Sequence, residues 1–304
     1  MNKKSIFNSF KEVIKQGTVL IDEPMKKHTT FKIGGPVDIL AVPGSLDEIL
    51  EVVKVCKSQK VDFRIIGNGS NLLVSDKGIR GIIIKIADNL KNIDTSEDKM
   101  IVQAGALLST ISKAALKNSL AGFEFAGGIP GTIGGAVTMN AGAYGGEMKN
   151  VVQRVKCIDR DGKIINLSNE EMNFGYRHSR VEEENLIVLE VELKLEKANY
   201  DDIKLQVDDL NKKRTTKQPL SLPSSGSTFK RPEGYFAAKL IEDAGLKGYK
   251  CGGAQVSEKH AGFIVNIGEA TSEDVLNLIN LVKSTVLDKF AVELETEVKI
   301  IGED

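Results

Sequence analysis

Glycine is crowded into two places where the backbone itself could do chemistry. Residues 126–140 read Ala-Gly-Gly-Ile-Pro-Gly-Thr-Ile-Gly-Gly-Ala-Val-Thr-Met-Asn, with five glycines and one proline. Glycine takes positive φ without strain and lets backbone N–H groups come close to an anion. Successive N–H groups can form a nest for a diphosphate. The turn Gly67-Asn-Gly-Ser-Asn71, directly after the apolar run Phe63-Arg-Ile-Ile66, offers the same physics. Either stretch could be a set of tight turns with no ligand. The longer one favours phosphate binding, because an apolar, glycine-dense loop is costly to order with nothing to fill it.

Other signatures of nucleotide or metal chemistry fail. Leu72 stands where a Rossmann fingerprint wants glycine or alanine. GxxxxGK[ST], HExxH and GxSxG are all absent. The three cysteines, Cys56, Cys157 and Cys251, form no CxxC pair and read as small core residues of a protein in a reducing compartment. His28, His178 and His260 are not spaced as a metal set, so no metal is expected.

These loops need elements to hold them. Strand and helix signals alternate from Phe31 to about Glu196. Ser45 and Glu48 read as a capping box for a helix with Leu46, Ile49, Leu50, Val53 and Cys56 on one face. Strands are expected at 63–66, 81–86, 100–103 and 186–193, a helix at 107–120, and a hairpin at Asp161-Gly162. A charged helix over 199–213 and a Pro/Ser-rich loop over 219–226 follow. Beyond them come helices at 235–243 and 274–290 and a last strand over 291–301. Its alternation puts Glu293, Glu295 and Glu297 on one polar face, which is a solvated face in the plainest reading.

The bulk numbers exclude several classes. A chain of 304 residues is more than one core usually supports. The formal net charge of −1 leaves no basic excess for nucleic acid. No apolar run approaches a membrane span and no signal peptide is visible, so the expectation is a cytoplasmic protein.

In this order the motifs resemble the UDP-N-acetylenolpyruvoylglucosamine reductase family. The resemblance is carried by Thr29-Thr-Phe-Lys-Ile-Gly-Gly35, Gly67-Asn-Gly-Ser-Asn71, Gly128-Ile-Pro-Gly-Thr-Ile-Gly-Gly135 and Met139-Asn-Ala-Gly-Ala143. Tyr176-Arg-His-Ser179, Ser225-Gly-Ser-Thr-Phe-Lys230 and Leu294-Glu-Thr-Glu-Val-Lys299 continue it, so that it spans about residues 22 to 301. The segment between Arg177 and Ser227 is short, as in members lacking an extra substrate-capping loop.

The resemblance implies an α+β chain. A vanillyl-alcohol-oxidase/p-cresol-methylhydroxylase-type FAD-binding domain would occupy 1–200, in lobes of about 1–74 and 75–200. An α+β substrate domain would occupy 205–304. It implies non-covalent FAD, NADPH as co-substrate, a UDP-sugar substrate and no metal. NADPH would reduce the flavin, and the flavin would then pass hydride to an enolpyruvyl ether. The FAD contacts it implies are Gly67, Asn68, Gly69, Ser70, Asn71, Gly127, Gly128, Ile129, Pro130, Gly131, Thr132, Gly134, Gly135, Asn140 and Ala141.

The catalytic residues it implies are Arg177, Ser227 and Glu297. Arg177 would meet the substrate carboxylate, where an arginine alone could be a surface ion pair. Ser227 would protonate the enolate, where a serine after Gly226 could be a simple turn cap. Glu297 would bond or protonate the enolic intermediate. Tyr176, Lys217, Lys230 and Arg231 are the substrate-binding candidates, the cations otherwise being ordinary loop residues. Two other readings stand beside this one. One is an alcohol or hydroxy-acid oxidase of the same fold, against which the Arg177, Ser227 and Glu297 set argues. The other is a flavin- or nucleotide-binding module without catalysis.

Overall fold

The computed structural model describes residues 2–87 and 89–303. The chain forms two compact units. The first comprises the residues up to Ile21, Ile39–Asn68 and Gly81–Arg214; the second comprises Asp22–Asp38, Gly69–Arg80 and the residues from Thr215 onward. This division does not follow the linear split into 1–200 and 205–304. Two early segments group with the C-terminal residues because their apolar side chains belong to the second core: Phe31, Ile33 and Leu73 cluster with Phe229, Ile241, Val275, Leu294 and Val298.

The first unit holds most of a four-stranded sheet and all of a five-stranded one. One has four strands in the order Thr18–Pro24, Pro36–Val42, Ile79–Lys85, Phe63–Ile66, the last two parallel. The helix Leu46–Ser58 buries Ile49, Val52, Val53 and Cys56, the spacing of one helical face. Ser45 caps it by accepting from the Glu48 amide at 3.2 Å. The other half of the expected capping box is replaced. The Glu48 carboxylate accepts from the amides of Gly44 (2.6 Å), Lys15 (2.7 Å) and Gln16 (2.6 Å). It therefore ties the end of the first helix, Lys3–Val13, to the next one. Burial raises the pKa of Glu48, but hydrogen bonds from the Gln16, Gly44, Lys15 and Gly17 amides outweigh it and hold the carboxyl below its ordinary value.

The second sheet of this unit has five antiparallel strands in the order Ile164–Ser168, Val152–Ile158, Ile187–Lys194, Lys99–Gln103, Ile93–Ser96. The hairpin at Asp161-Gly162 is present. Gly162 sits at φ 83°, and the Asp159 carboxylate accepts from the amides of Asp161 and Lys163, each at 2.9 Å. The core against these sheets includes Phe10, Ile49, Val102, Ile133, Val155 and Val191.

The second unit packs helices Ala237–Asp243 and Ser272–Phe290 on a three-stranded antiparallel sheet, Lys250–Cys251, Ala254–Val256 and Ile264–Asn266. A reciprocal capping box, Thr271 with Asp274, starts the long helix. That helix buries Val275, Leu278, Ile279, Val282 and Val286. The expected strand over 291–301 is shorter. Only Lys299–Ile301 is strand, paired in parallel with Leu72–Val74. Upstream the chain is extended and touches Phe229 through an isolated bridge at Thr296. Leu294 and Val298 still point into the core, which is why the sequence alternates without a continuous ladder.

Candidate active site

In the first unit the glycine-rich loop is held from below and left bare above. Thr132 is buried and caps the short helix Ile133–Thr138. The amides of Ile133 and Gly134 donate to the Ala106 and Ala104 carbonyls, and Leu108 donates to the Gly131 carbonyl. Among the described residues, the amides of Gly128, Gly131 and Thr132 donate to no carbonyl or side chain of the chain. Gly67 lies so close that a Cβ would fall 2.4 Å from Thr132 Oγ1. A Cβ on Gly128 would fall 2.8 Å from Arg214 Nη1. The glycines thus leave room for neighbouring groups as well as for a ligand. In the second unit Gly69, at φ 63°, would place a Cβ 2.1 Å from the His28 carbonyl oxygen.

Asn140, expected among the cofactor contacts, braces the chain with its side chain. It is buried at φ 44°. Its Nδ2 donates to Glu147 at 2.5 Å and to the Gly175 carbonyl at 2.9 Å, and its Oδ1 accepts from the Lys149 amide at 2.9 Å. Both amide protons are spent on the protein, so the side chain is a strut. What it supports is the turn that carries Arg177. Gly175 and His178 exchange backbone bonds of 3.1 and 3.3 Å across that turn. The buried Ser179 hydroxyl pins its exit to the Thr138 carbonyl at 2.7 Å. Arg177 itself adopts φ 54°, a conformation that costs a non-glycine residue about 1 kcal/mol or more. Its guanidinium lies 5.0 Å from the centre of the exposed Tyr176 ring.

In the second unit Ser227 and Glu297 belong to one backbone frame. The buried Thr228 donates its amide to the Gly262 carbonyl at 2.8 Å and accepts at Oγ1 from the Ile264 amide at 3.1 Å. Its carbonyl accepts the Glu297 amide at 2.8 Å. Asn71 closes the frame: its Nδ2 donates to the Glu297 carbonyl at 3.1 Å, and its own carbonyl accepts the Lys299 amide at 2.9 Å. Asn71, expected as a cofactor contact, thereby positions Glu297. Ser227 and Glu297 are half-buried, with Gly226 at φ 80° making the turn into the serine. The Ser225 hydroxyl is buried without a hydrogen-bond partner.

The substrate-binding candidates of this unit are exposed or half-buried. Lys217 ends the helix Tyr200–Lys217 and is exposed. Lys230 is bound to Glu295 at 2.9 Å, so Glu295 is an ion-pair partner and not merely a solvated residue. The Arg231 guanidinium stacks 4.0 Å from the Phe236 ring centre and donates from Nε to the Tyr235 carbonyl at 3.3 Å.

Each histidine has a neighbour within the chain. His28 Nε2 meets Glu23 at 3.2 Å, His178 lies 3.6 Å from Glu183, and His260 packs edge-on to Phe263. Burial pushes the thiols of Cys56 and Cys157 up to about 12, which suits inert core residues. Cys251 is half-buried and packs against the second core. No group of side chains that could hold a metal ion occurs among the described residues.

Bare amides over a braced glycine loop, together with a family model described as "FAD binding domain" that matches residues 37–168, define an FAD-dependent oxidoreductase. Residues 218–301 match a model described as "UDP-N-acetylenolpyruvoylglucosamine reductase, C-terminal domain". A UDP-N-acetylenolpyruvoylglucosamine reductase of Caldanaerobacter subterraneus subsp. tengcongensis is 55% identical over 298 residues, 98% of each chain. One of Clostridioides difficile is 53% identical over 304 residues, all of both chains. The crystal structure of the Thermus caldophilus enzyme of that name superposes with a TM-score of 0.79 at 34% identity, covering 93% of this chain and 98% of that one. An alkyldihydroxyacetonephosphate synthase, at 15% identity and a TM-score of 0.50, shares the fold over 64% of this chain and 40% of its own. The chain belongs to the UDP-N-acetylenolpyruvoylglucosamine reductase family.

The residues fit the cofactor that this family uses. The free amides of Gly128, Gly131 and Thr132 suit an anionic diphosphate. A side chain at Gly67 would strike Thr132, and one at Gly128 would displace Arg214. Sequence reasoning found this loop but missed Arg214, which lies against it. A single arginine in a charged helix carries no signal of its own.

Proposed function

We propose that this chain reduces UDP-N-acetyl-3-O-(1-carboxyvinyl)-glucosamine to UDP-N-acetylmuramate with electrons from NADPH, a step of peptidoglycan precursor synthesis, and that Arg177, Ser227 and Glu297 carry the second half-reaction. FAD, which the amides of Gly128, Gly131 and Thr132 would hold, would supply the hydride chemistry between NADPH and the terminal carbon of the enolpyruvyl group.

The remaining work falls to the protein. Hydride addition at the terminal carbon leaves negative charge that spreads from the adjacent carbon onto the carboxylate as an enolate. A fixed guanidinium at Arg177 stabilises that charge more in the transition state than in the ground state. Its planar fork can meet a carboxylate in two hydrogen bonds, and its braced left-handed turn gives it one orientation. Ser227 then delivers the proton from its hydroxyl to the carbon that bears the carboxylate, completing the saturated lactyl ether. Serine is a weak acid, but an enolate carbon is a strong base, so the transfer is feasible where water is scarce. Glu297 hydrogen-bonds the enolic oxygen or shares the proton. Lys217, Lys230, Arg231 and Tyr176 serve the UDP moiety, the cations as charges toward the diphosphate.

The assignment of 1–200 to FAD and 205–304 to substrate, and a cytoplasmic location, complete the reading. No helix among the described residues is long and apolar enough to cross a membrane.

The observation that carries this reading is the Glu297 amide bonded at 2.8 Å to the carbonyl of Thr228, the residue after Ser227. Two groups with complementary proton chemistry are thereby fixed on adjacent backbone, which fits a protonation site. The test separates the half-reactions by stopped flow. In Ser227→Ala, NADPH should bleach the flavin at the wild-type rate, while reoxidation by the UDP-sugar slows by about 10²–10⁴-fold. Equal loss in both stages would remove Ser227 from the role assigned.

A further inference from the structure

Arg214 is half-buried, and a cation so placed needs a reason. Its Nε is shielded from solvent and has no hydrogen-bond partner. Burial lowers the affinity of its guanidinium for the proton, and the only opposing influence comes from Tyr144, not from a carboxylate. Buried charges are normally paired, since leaving one unpaired costs several kcal/mol in order of magnitude. The side chain lies flat against Gly128, where a Cβ would meet Cδ and Nη1, each at 2.8 Å. Gly128 thus has a second reason to be glycine: it makes room for the arginine. In the same loop the amides of Gly128, Gly131 and Thr132 have no acceptor in the chain among the described residues. One unpartnered guanidinium Nε lying against the loop and three unpartnered amides within it, all in one unit, describe a site for an anion that is always there.

We infer that Arg214 is the charged partner of the FAD diphosphate, completing with those amides a site that the protein alone leaves unsatisfied. The oxidised isoalloxazine ring is neutral, whereas the diphosphate keeps its charge through every stage of turnover. A permanently charged, desolvated guanidinium matches the permanent anion. The inference rests on the chain's use of FAD and is independent of the roles given to Arg177, Ser227 and Glu297. Arg214 binds and positions the cofactor; it takes no part in the chemical steps.

The test uses purified holoenzyme and reads cofactor retention. FAD release on dilution, followed by recovery of free-flavin fluorescence, gives a dissociation constant for wild type, Arg214→Met, Arg214→Lys, Gly128→Ala and the double variant Gly128→Ala/Arg214→Met. Loss of a desolvated charge-assisted contact should weaken FAD at least about ten-fold in Arg214→Met. Arg214→Lys should recover part of that loss. Gly128→Ala, which pushes the arginine aside, should weaken FAD in the wild-type background and do little more in the Arg214→Met background. The midpoint potential of the flavin that remains bound should stay at the wild-type value.

Three outcomes overturn the inference. FAD could be retained normally in Arg214→Met. Retention could be normal with a lowered potential, which would put the guanidinium against the reduced ring. Gly128→Ala and Arg214→Met could act additively. Should Arg214→Met not fold, Arg214→Lys with Gly128→Ala decides the matter. Weakened FAD at unchanged potential supports the diphosphate contact, and unchanged FAD refutes it.

Discussion

The two units prepare their parts of the chemistry in different ways. In the first, the working groups proposed above are backbone amides and an arginine on a left-handed turn, and buried side chains such as Thr132, Asn140 and Ser179 brace them. In the second, the working groups proposed above are the side chains of Ser227 and Glu297, and backbone hydrogen bonds through Thr228 and Asn71 brace their segments. The roles of main chain and side chain are exchanged. A diphosphate needs many weak donors at close range, which glycine-rich backbone provides. Proton transfer needs one group with a particular chemistry, which only a side chain provides.

The contrast can be broken by substitution. Ser227→Ala, with its loss of about 10²–10⁴-fold confined to the sugar half-reaction, is the largest effect expected. Arg177→Lys should slow the same half-reaction by roughly 10²-fold, because an ammonium lacks the planar two-pronged contact. Stopped-flow reoxidation near the wild-type rate would dispose of the carboxylate clamp. Asn140→Ala tests the bracing of the first unit. Losing bonds to Gly175, Glu147 and Lys149 should cost about 2 kcal/mol of stability and lower turnover through the Arg177 turn. A thermal melt that matches wild type would show that the turn stands without its strut.

The smallest effect is a pH dependence. The Glu48 carboxyl is held below its ordinary value in the folded chain by backbone amides. Its contribution is therefore full above the unfolded pKa, about 4.3 for a free glutamate. It is lost as pH falls through the lower folded value. Wild type should accordingly be more stable than Glu48→Gln at pH 7, with the gap closing below about pH 4. A melting-temperature difference that stays constant down to pH 3 would contradict this.

Local signals read well. The capped, periodic helices at Leu46–Ser58 and Ser272–Phe290 and the hairpin at Asp161-Gly162 carry their information within a few residues. The motifs that resemble the family also read through to FAD and to the reductase reaction. What the sequence hid is non-local. Nothing near Phe31 or Leu73 says that these residues cluster with Val298. The period-2 run before Lys299 predicts a long strand, yet ladder pairing depends on a partner that only Leu72–Val74 supplies. Asn140 and Asn71 sit inside glycine motifs, and their bracing bonds to Gly175 and Glu297 are hidden from the sequence because they cross dozens of residues or more.

The interleaved second unit has a consequence for how the polypeptide is made. While a ribosome is still translating the first two hundred residues, Phe31, Ile33 and Leu73 have emerged without the C-terminal neighbours that cover them. They stay wet, and open to aggregation or chaperone capture, until synthesis reaches the helix Ser272–Phe290 and the last strand. A gene fragment cut at residue 200 would leave that apolar surface permanently uncovered, so the N-terminal portion should prove poorly soluble when expressed without the rest.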